Sequence, residues 1–520
     1  MRLRGLRSEI GTVVAEDTGE LIVTGKKSRR RDSDAESLAS RASGFHGPKA
    51  FEHYLLCLQL VLRKQLRWFI DTQRLPEQLE TLARDLWALR LHKLQSRVSY
   101  DSETETEGQS QFFSSQSEGE TSASEASRRR KKRASVRTDG SPNIRETLCL
   151  CYTGALLMRE PITVADLFTW INEGRLLFYR AAKEVPLGML ERLPATYQEL
   201  LAPQRLSKPE KLHQSLFELL STFSSEFGMV LPPLNTPLVL YRWVRELALP
   251  VEVYAATQRL SRALEEKFSF NMTFKARSAE SALRHPELRL MALLVAATKL
   301  LFPFDDTKRY PASAKDLSAL SLQWPAWQET QSRMLEQADR SGLPSYKKMM
   351  DFSQTDVLES ADDRLDEYMD WYEQNIASGD VREHGQAGKE TDFRRALFRL
   401  FPAGRGDGPG RNDQSEGLEY GDDHISEALR EVQSALKPKR VVEVDAGGNQ
   451  VNRAGSFYRR HRIANDLEGP ARMFHERAAA LAGVSLDTMV RAVFLIEGKA
   501  LKHQEKLRRG GDSSSEAEGT

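Results

Sequence analysis

Residues 48–69 read Pro48-Lys-Ala-Phe-Glu-His-Tyr-Leu-Leu-Cys-Leu-Gln-Leu-Val-Leu-Arg-Lys-Gln-Leu-Arg-Trp-Phe69. Phe51, Tyr54, Leu55, Leu58, Leu62, Leu66 and Phe69 recur at helical spacing, giving one apolar stripe. The spacing predicts an amphipathic helix whose late turns carry Arg63, Lys64 and Arg67 on the polar side. Pro76 then marks the first turn of a second helix, through Leu79, Leu82, Leu86 and Leu89.

The pattern stops at residue 97. From Tyr100 to Ser127 the chain is Ser/Glu-rich without Lys or Arg, and then comes the basic run Arg128 to Arg133. An acidic block followed by a basic block predicts a disordered insertion over 97–142. Helical patterning resumes at Ile144. Thr163-Val-Ala-Asp166 has the form of a helix start, with Thr163 capping, and Leu167, Phe168, Ile171 and Phe178 follow as the buried face. Thr236-Pro237 repeats the start signal, for a helix that carries Leu238, Tyr241 and Leu249. Residues 376–450 are rich in Gly, Asp and Arg and read as mostly linker. Leu481, Val484, Leu486, Met489, Val490 and Val493 mark a last helical segment before a polar tail. Upstream of residue 48 the only β-like run is Glu20 to Thr24.

A weak repeat links two stretches. Arg67-Trp68 precedes Leu75-Pro76, and Arg242-Trp243 precedes Leu249-Pro250. Each pair leads to a small-residue apolar helix, one holding Gly154 and Ala155, the other Ala296 and Ala297. Small residues let helices approach closely, which suits a central helix ringed by others. The expected class is all-α, with two five-helix bundles in tandem.

Composition narrows the function. The 520 residues hold 75 Lys and Arg against 74 Asp and Glu. A net charge of +1 excludes a uniformly basic nucleic-acid coat but leaves local basic patches open. Three cysteines, Cys57, Cys149 and Cys151, cannot form a disulfide scaffold or a four-cysteine zinc site, and they suggest a reducing compartment. The longest apolar run, near Leu290 to Phe304, is broken by Lys299 and Pro303, so no membrane partner is expected and the chain reads as soluble and intracellular. No phosphate-binding loop, His-Glu-x-x-His or Gly-x-Ser-x-Gly is present. The glycines of 404–410 lie in a polar linker, and the pairs Asp305-Asp306 and Asp362-Asp363 read as surface or capping residues. No catalytic residue is assigned. His53 with Cys57, and Cys149 with Cys151, read as core rather than metal ligands.

The residues Ala50 to Cys57, Leu62 to Trp68, Leu75 to Leu79 and Arg84 to Arg90 closely resemble the fungal TFIIB-related subunit of the RNA polymerase I core factor, related to the animal TATA-binding-protein-associated factor B. Gly455-Ser-Phe-Tyr-Arg-Arg460, Leu481 to Leu486 and Val490 to Phe494 resemble it too. The resemblance implies two tandem cyclin-like folds with a helical C-terminal extension, and a non-enzymatic initiation factor in the nucleus and nucleolus. It also implies partners: the ribosomal DNA promoter, RNA polymerase I, other core-factor subunits and TATA-binding protein. The family's N-terminal ribbon holds a zinc ion. No cysteine precedes Cys57 here, so no cofactor is expected in this chain: either the ribbon is lost or the sequence starts beyond it. The expected division is a basic reader-like segment over 1–48, a first cyclin-like fold over 49–202, a second over 203–330, a helical extension over 331–375, a linker over 376–450, a helical segment over 451–508 and a tail over 509–520.

Three basic groups become candidates for DNA or polymerase contact. Lys26, Lys27, Arg29, Arg30 and Arg31 sit where the family's reader-linker lies. Arg63, Lys64 and Arg67 could position phosphates, or form an ordinary solvated face. Arg459, Arg460 and Arg462 have Phe457 and Tyr458 as aromatic neighbours. Arg128, Arg129, Arg130, Lys131, Lys132 and Arg133 read as a nuclear-import signal or mobile tether. The alternative function is a cyclin-like adaptor that binds proteins and touches no DNA.

Overall fold

A computed structural model of the chain describes residues 12–14, 21–23, 45–109, 141–179, 181–203, 206–272, 283–341, 349, 368–369, 371–372, 416–442 and 451–515. Strands β1 (Thr12–Val14) and β2 (Leu21–Val23) pair antiparallel, the second falling on the expected β-like run. The rest is almost wholly helical.

Helix α1 (Pro48–Asp71) begins with proline in its first turn and buries Tyr54, Leu58, Leu62, Leu66 and Phe69. Helix α2 (Gln78–Gln109) starts two residues after Pro76 and runs past residue 97, where the apolar periodicity ends. Helix α3 (Ile144–Leu157) is capped by the Asn143 side chain, which accepts from the Arg145 and Glu146 amides. It is buried on nearly every face. Gly154 explains how α2 comes so close: a Cβ there would sit 2.7 Å from Leu79 Cδ1. Helix α4 (Val164–Asn172) has the expected capping box, with Thr163 and Asp166 bonded reciprocally. Leu167 and Ile171 are buried, Phe168 is half-buried, and Phe178 packs into the core beyond the helix end. Helix α5 (Pro209–Phe227) ends on left-handed Gly228. It packs against α3 and α4, completing the ring around α3. The expected boundary at 202–203 falls just before this helix.

The second bundle begins with α6 (Thr236–Glu246) and α7 (Val251–Ala263). Two expectations for α6 are corrected. Its N-cap is Asn235, one residue before Thr236. Its buried face is Val239, Leu240, Trp243 and Val244, while Leu238 and Tyr241 are exposed and Leu249 is buried after the helix. Helix α8 (Pro286–Leu301) is the central helix, buried along its whole length and packed against α7. The two turns bearing the repeat match in backbone: Arg74 and Ala248, each just before Leu-Pro, both take positive φ, 54° and 47°. The Thr72 amide donates to the Trp68 carbonyl as Leu247 donates to Trp243.

Helix α9 (Trp324–Ser341) follows, its buried Trp327 indole donating to the Leu247 carbonyl at 2.7 Å. The expected linker contains a helix, α10 (Glu416–Ser434), packed on α9 and α6. After it, β4 (Lys437–Pro438) pairs with β3 (Leu320–Ser321). Helices α11 (Gly469–Leu481) and α12 (Leu486–Ser515) meet at 100°. Both pack on α8, so the segment expected as separate over 451–508 supplies the closing helices of the second bundle. Among the described residues no single helix is long and apolar enough to cross a membrane.

The two bundles share a continuous apolar core, and polar bonds lock their interface. Glu287, in the first turn of α8, accepts from the Tyr152 hydroxyl of α3 at 2.5 Å and from the Val164 amide at the start of α4. Arg242 of α6 bonds Asp166 at 2.8 Å and the Pro161 carbonyl. The α11–α12 turn wedges between α4 and α5. Gly483, at φ 61°, sits tight against α4: a Cβ there would meet Ala165 Cα at 3.1 Å. His213 of α5 bonds the Ala482 carbonyl, and Glu210 accepts from the Ser485 amide.

Candidate nucleic-acid interface

The site is organised by one buried carboxylate. Glu497 on α12 pairs with Lys299 on α8 at 2.5 Å, both almost wholly buried. Its Oε1 also accepts from the Tyr458 hydroxyl at 2.7 Å, and Arg460 Nε lies 3.6 Å from Oε2. Arg460 further donates to the Phe494 carbonyl at 2.8 Å and stacks over the Phe494 ring at 3.9 Å. Burial pushes the Lys299 ammonium down, with Glu497 opposing. The further polar contacts of this carboxylate go to one segment: Tyr458 bonds Oε1, while Oε2 has only the 3.6 Å ion pair with Arg460 and no hydrogen bond.

That segment is a ledge over residues 455–463. Tyr458 and Arg460 point inward to Glu497. Phe457, Arg459, Arg462 and Ile463 are exposed. From 457 to 460 exposure alternates, with Phe457 and Arg459 open to solvent and Tyr458 and Arg460 half-buried. Arg309 secures the near end by donating to the Ser456 carbonyl at 2.8 Å, while Asp305 grips the same guanidinium through both carboxylate oxygens. A cavity of about 270 Å³ lies beside the ledge, lined by Lys299, Arg309, Arg459, His461, Asp466 and Glu468 among others. Burial and Lys299 lower the His461 pKa, which favours the neutral imidazole.

The candidates from the sequence separate clearly. Arg459 and Arg462 are on the open face. Arg460 is not: it is spent on Glu497 and Phe494, a correction to its assignment as a contact residue. On α1, Lys64 is held by the Glu184 carboxylate at 2.6 Å and by its carbonyl, which removes it from a free basic patch. Arg63 lies 3.9 Å from Glu80, and Arg67 is exposed. These α1 residues belong to the first bundle and the ledge to the second, so they do not form one cluster. Lys26, Lys27, Arg29, Arg30, Arg31 and the run Arg128 to Arg133 lie outside the described residues, as do Asp362, Asp363 and the glycines of 404–410.

Sequence reasoning missed Glu497, Lys299 and the outward Phe457. The alternation at 457–460 was a usable signal for Phe457; nothing local ties Glu497 to Lys299. It also missed the exposed cations Lys502, Lys506, Arg508 and Arg509 near the end of α12.

Among the described residues no group of three or more His, Cys, Asp or Glu side chains is placed to hold a metal. The cysteines are buried thiols, and burial pushes Cys57 up to about 11 and Cys149 and Cys151 up as well, the protonated state that zinc ligation does not use. His53 is bonded to the Met189 carbonyl at 2.8 Å.

Comparison with known proteins bears on the whole chain. Residues 58–187 match the Rrn7/TAF1B N-terminal cyclin domain, and residues 206–376 match the Rrn7/TAF1B C-terminal cyclin domain. The chain is 23% identical over 466 residues to "RNA polymerase I-specific transcription initiation factor rrn7" of Schizosaccharomyces pombe, covering 85% of this chain and 83% of that protein. It is 20% identical over 370 residues to the factor of the same name in Saccharomyces cerevisiae, covering 68% and 62%. It is 25% identical over 213 residues to a TATA box-binding protein-associated factor of RNA polymerase I from Oryza sativa, covering 38% and 32%. In fold it is similar to a chain in the crystal structure of S. cerevisiae core factor, with a TM-score of 0.52, 14% identity, and coverage of 88% of this chain and 100% of that one. The two fungal relatives are named as RNA polymerase I-specific transcription initiation factors. The second domain match ends before α11 and α12, which the structure packs on α8. With two successive domains of one family matched over more than half its length, this chain belongs to the Rrn7/TAF1B family of tandem cyclin-fold proteins.

Proposed function

We propose that this chain is an initiation factor of RNA polymerase I that works in the nucleus. In this reading it acts in the nucleolus as a core-factor subunit, binds the ribosomal DNA core promoter and helps recruit the polymerase. The observation that carries the proposal is the paired family match, supported by relatives named as RNA polymerase I initiation factors. Its partners are the other core-factor subunits, the polymerase, TATA-binding protein and promoter DNA. The reading assigns no zinc ion to this chain.

The test is add-back. An extract depleted of this chain should lose promoter-dependent ribosomal RNA initiation and regain it with the full chain. A variant with Lys26, Lys27, Arg29, Arg30 and Arg31 neutralised should restore less while folding normally. Full initiation in the depleted extract would sink the proposal.

One observation favours the adaptor reading. Leu238, Tyr241 and Val251 expose their side chains into an apolar groove of about 300 Å³ between α6, α7 and α10, a surface suited to a protein partner. A flat binding curve on ribosomal promoter duplex, with partner subunits present, would favour it.

A further inference from the structure

Phe457 is 68% exposed and sits at φ 55°. A bulky side chain in the left-handed region is strained, at a cost on the order of 1–3 kcal/mol, and persists only where the surroundings fix it. Here both flanks are fixed. Before it, Ser456 is bonded through its carbonyl to Arg309 and through its hydroxyl to the Arg453 amide. After it, Tyr458 and Arg460 are anchored to Glu497. The ring gains no burial from this arrangement. Glycine or asparagine would hold the same backbone at lower cost. The structure therefore fixes the backbone that presents this aromatic ring to solvent.

The ring's neighbours narrow the ligand. Arg459, two residues on, and Arg462 are exposed on the same ledge. A guanidinium beside an exposed ring suits a polymer alternating phosphates and flat aromatic groups. In a duplex, base faces are hidden by stacking; an unpaired strand offers them. Asp466 and Glu468 line the adjoining cavity, Asp305 is neutralised by Arg309, and His461 is driven neutral. The local charge is thus too balanced for phosphate attraction alone, and the ring must supply much of the affinity. We infer that the 457–462 ledge takes single-stranded DNA, with the Phe457 ring against the face of an unpaired base and Arg459 and Arg462 on adjacent phosphates. This rests on the initiation-factor reading and adds the state of the DNA that this face recognises.

The test uses the full chain and a fluorescein-labelled mixed-sequence single strand, with the matching duplex in parallel. Phe457→Ala should weaken single-strand binding about five- to hundredfold, the range for loss of one base–aromatic stack. Phe457→Trp should retain it, and duplex binding should not change. A 2-aminopurine in the strand should be quenched by the unmodified chain and not by Phe457→Ala. Arg459→Ala with Arg462→Ala should flatten the single-strand salt dependence by about 0.7 in log–log slope for each lost phosphate contact. The inference is overturned if the unmodified chain does not bind the single strand, or if Phe457→Ala binds it equally well. Loss of co-purifying core-factor subunits in Phe457→Ala, with single-strand binding intact, would overturn it in favour of a protein contact. Add-back transcription with the unmodified chain reports separately on the initiation-factor reading.

Discussion

The Tyr152 hydroxyl donates to Glu287 Oε1 at 2.5 Å, joining the central helices of the two bundles through a carboxylate that water does not reach. Asp166 and Arg242 act on the same carboxylate from α4 and α6. The relative placement of the two folds is thus written into buried polar bonds as well as apolar contact. Tyr152→Phe removes the hydroxyl and leaves Oε1 only the longer bond from the Val164 amide, at 3.2 Å. It should cost about 1–3 kcal/mol in urea unfolding, the range for losing a buried hydrogen bond to a carboxyl group. An unchanged midpoint would mean the bond does not hold the interface.

The same carboxylate makes stability depend on pH. Burial pushes Glu287 up from 4.5 to about 7, against the Tyr152 and Val164 bonds, and does the same to Glu246. A folded-state pKa raised above the unfolded one means the folded chain holds extra protons between those values. The contribution is therefore full below about pH 4.5 and is lost as pH rises through about 7. The urea midpoint of the wild type relative to Glu287→Gln should fall across that window. A difference that stays flat, or rises, would show that Glu287 keeps its charge at no cost.

Two glycines with nearly equal φ separate strain from crowding. Gly228 sits at φ 62°, and a Cβ added there would meet nothing within 4 Å, while Gly483 sits at φ 61° against Ala165. Gly228→Ala should cost only the left-handed penalty, about 1–2 kcal/mol. Gly483→Ala should cost clearly more, because the Ala165 backbone must also move. Equal losses in thermal or urea unfolding would contradict the wedged placement of the α11–α12 turn.

Legibility followed the range of the interactions. The α1 stripe and the Thr163–Asp166 capping box were readable because each is set within a few residues. The turns at Leu75-Pro76 and Leu249-Pro250 gave the repeat away for the same reason. The buried face of α6 was not legible, because Leu238 and Tyr241 are apolar residues left exposed beside the groove. Helix α10 was hidden by Gly417, Gly421 and its dense acidic residues, which read as linker. The assignment of α11 and α12 to the second bundle depends on contacts between α8 and helices far along the chain, for which no local pattern exists. Arg460 shows the same limit at the site: its charge was legible, but its partner Glu497 was not.

The Glu497 hub should prove essential to the ledge. Glu497→Ala leaves Lys299 and Arg460 without their counter-charge and should destabilise the fold by about 3–5 kcal/mol. Glu497→Gln keeps an acceptor for Tyr458 and should lose less. In Glu497→Gln, hydrogen exchange at residues 455–463 should quicken more than at α3. Exchange there that matches the wild type would show that the ledge is held by something else.

Action of this chain at the start of ribosomal RNA genes is tested most directly by chromatin immunoprecipitation of the tagged full chain, scored across the ribosomal DNA repeat. A sharp peak at the core promoter, with none across the gene body, is the expected result. Uniform background over the repeat, from a tagged chain that is expressed and nuclear, would contradict it.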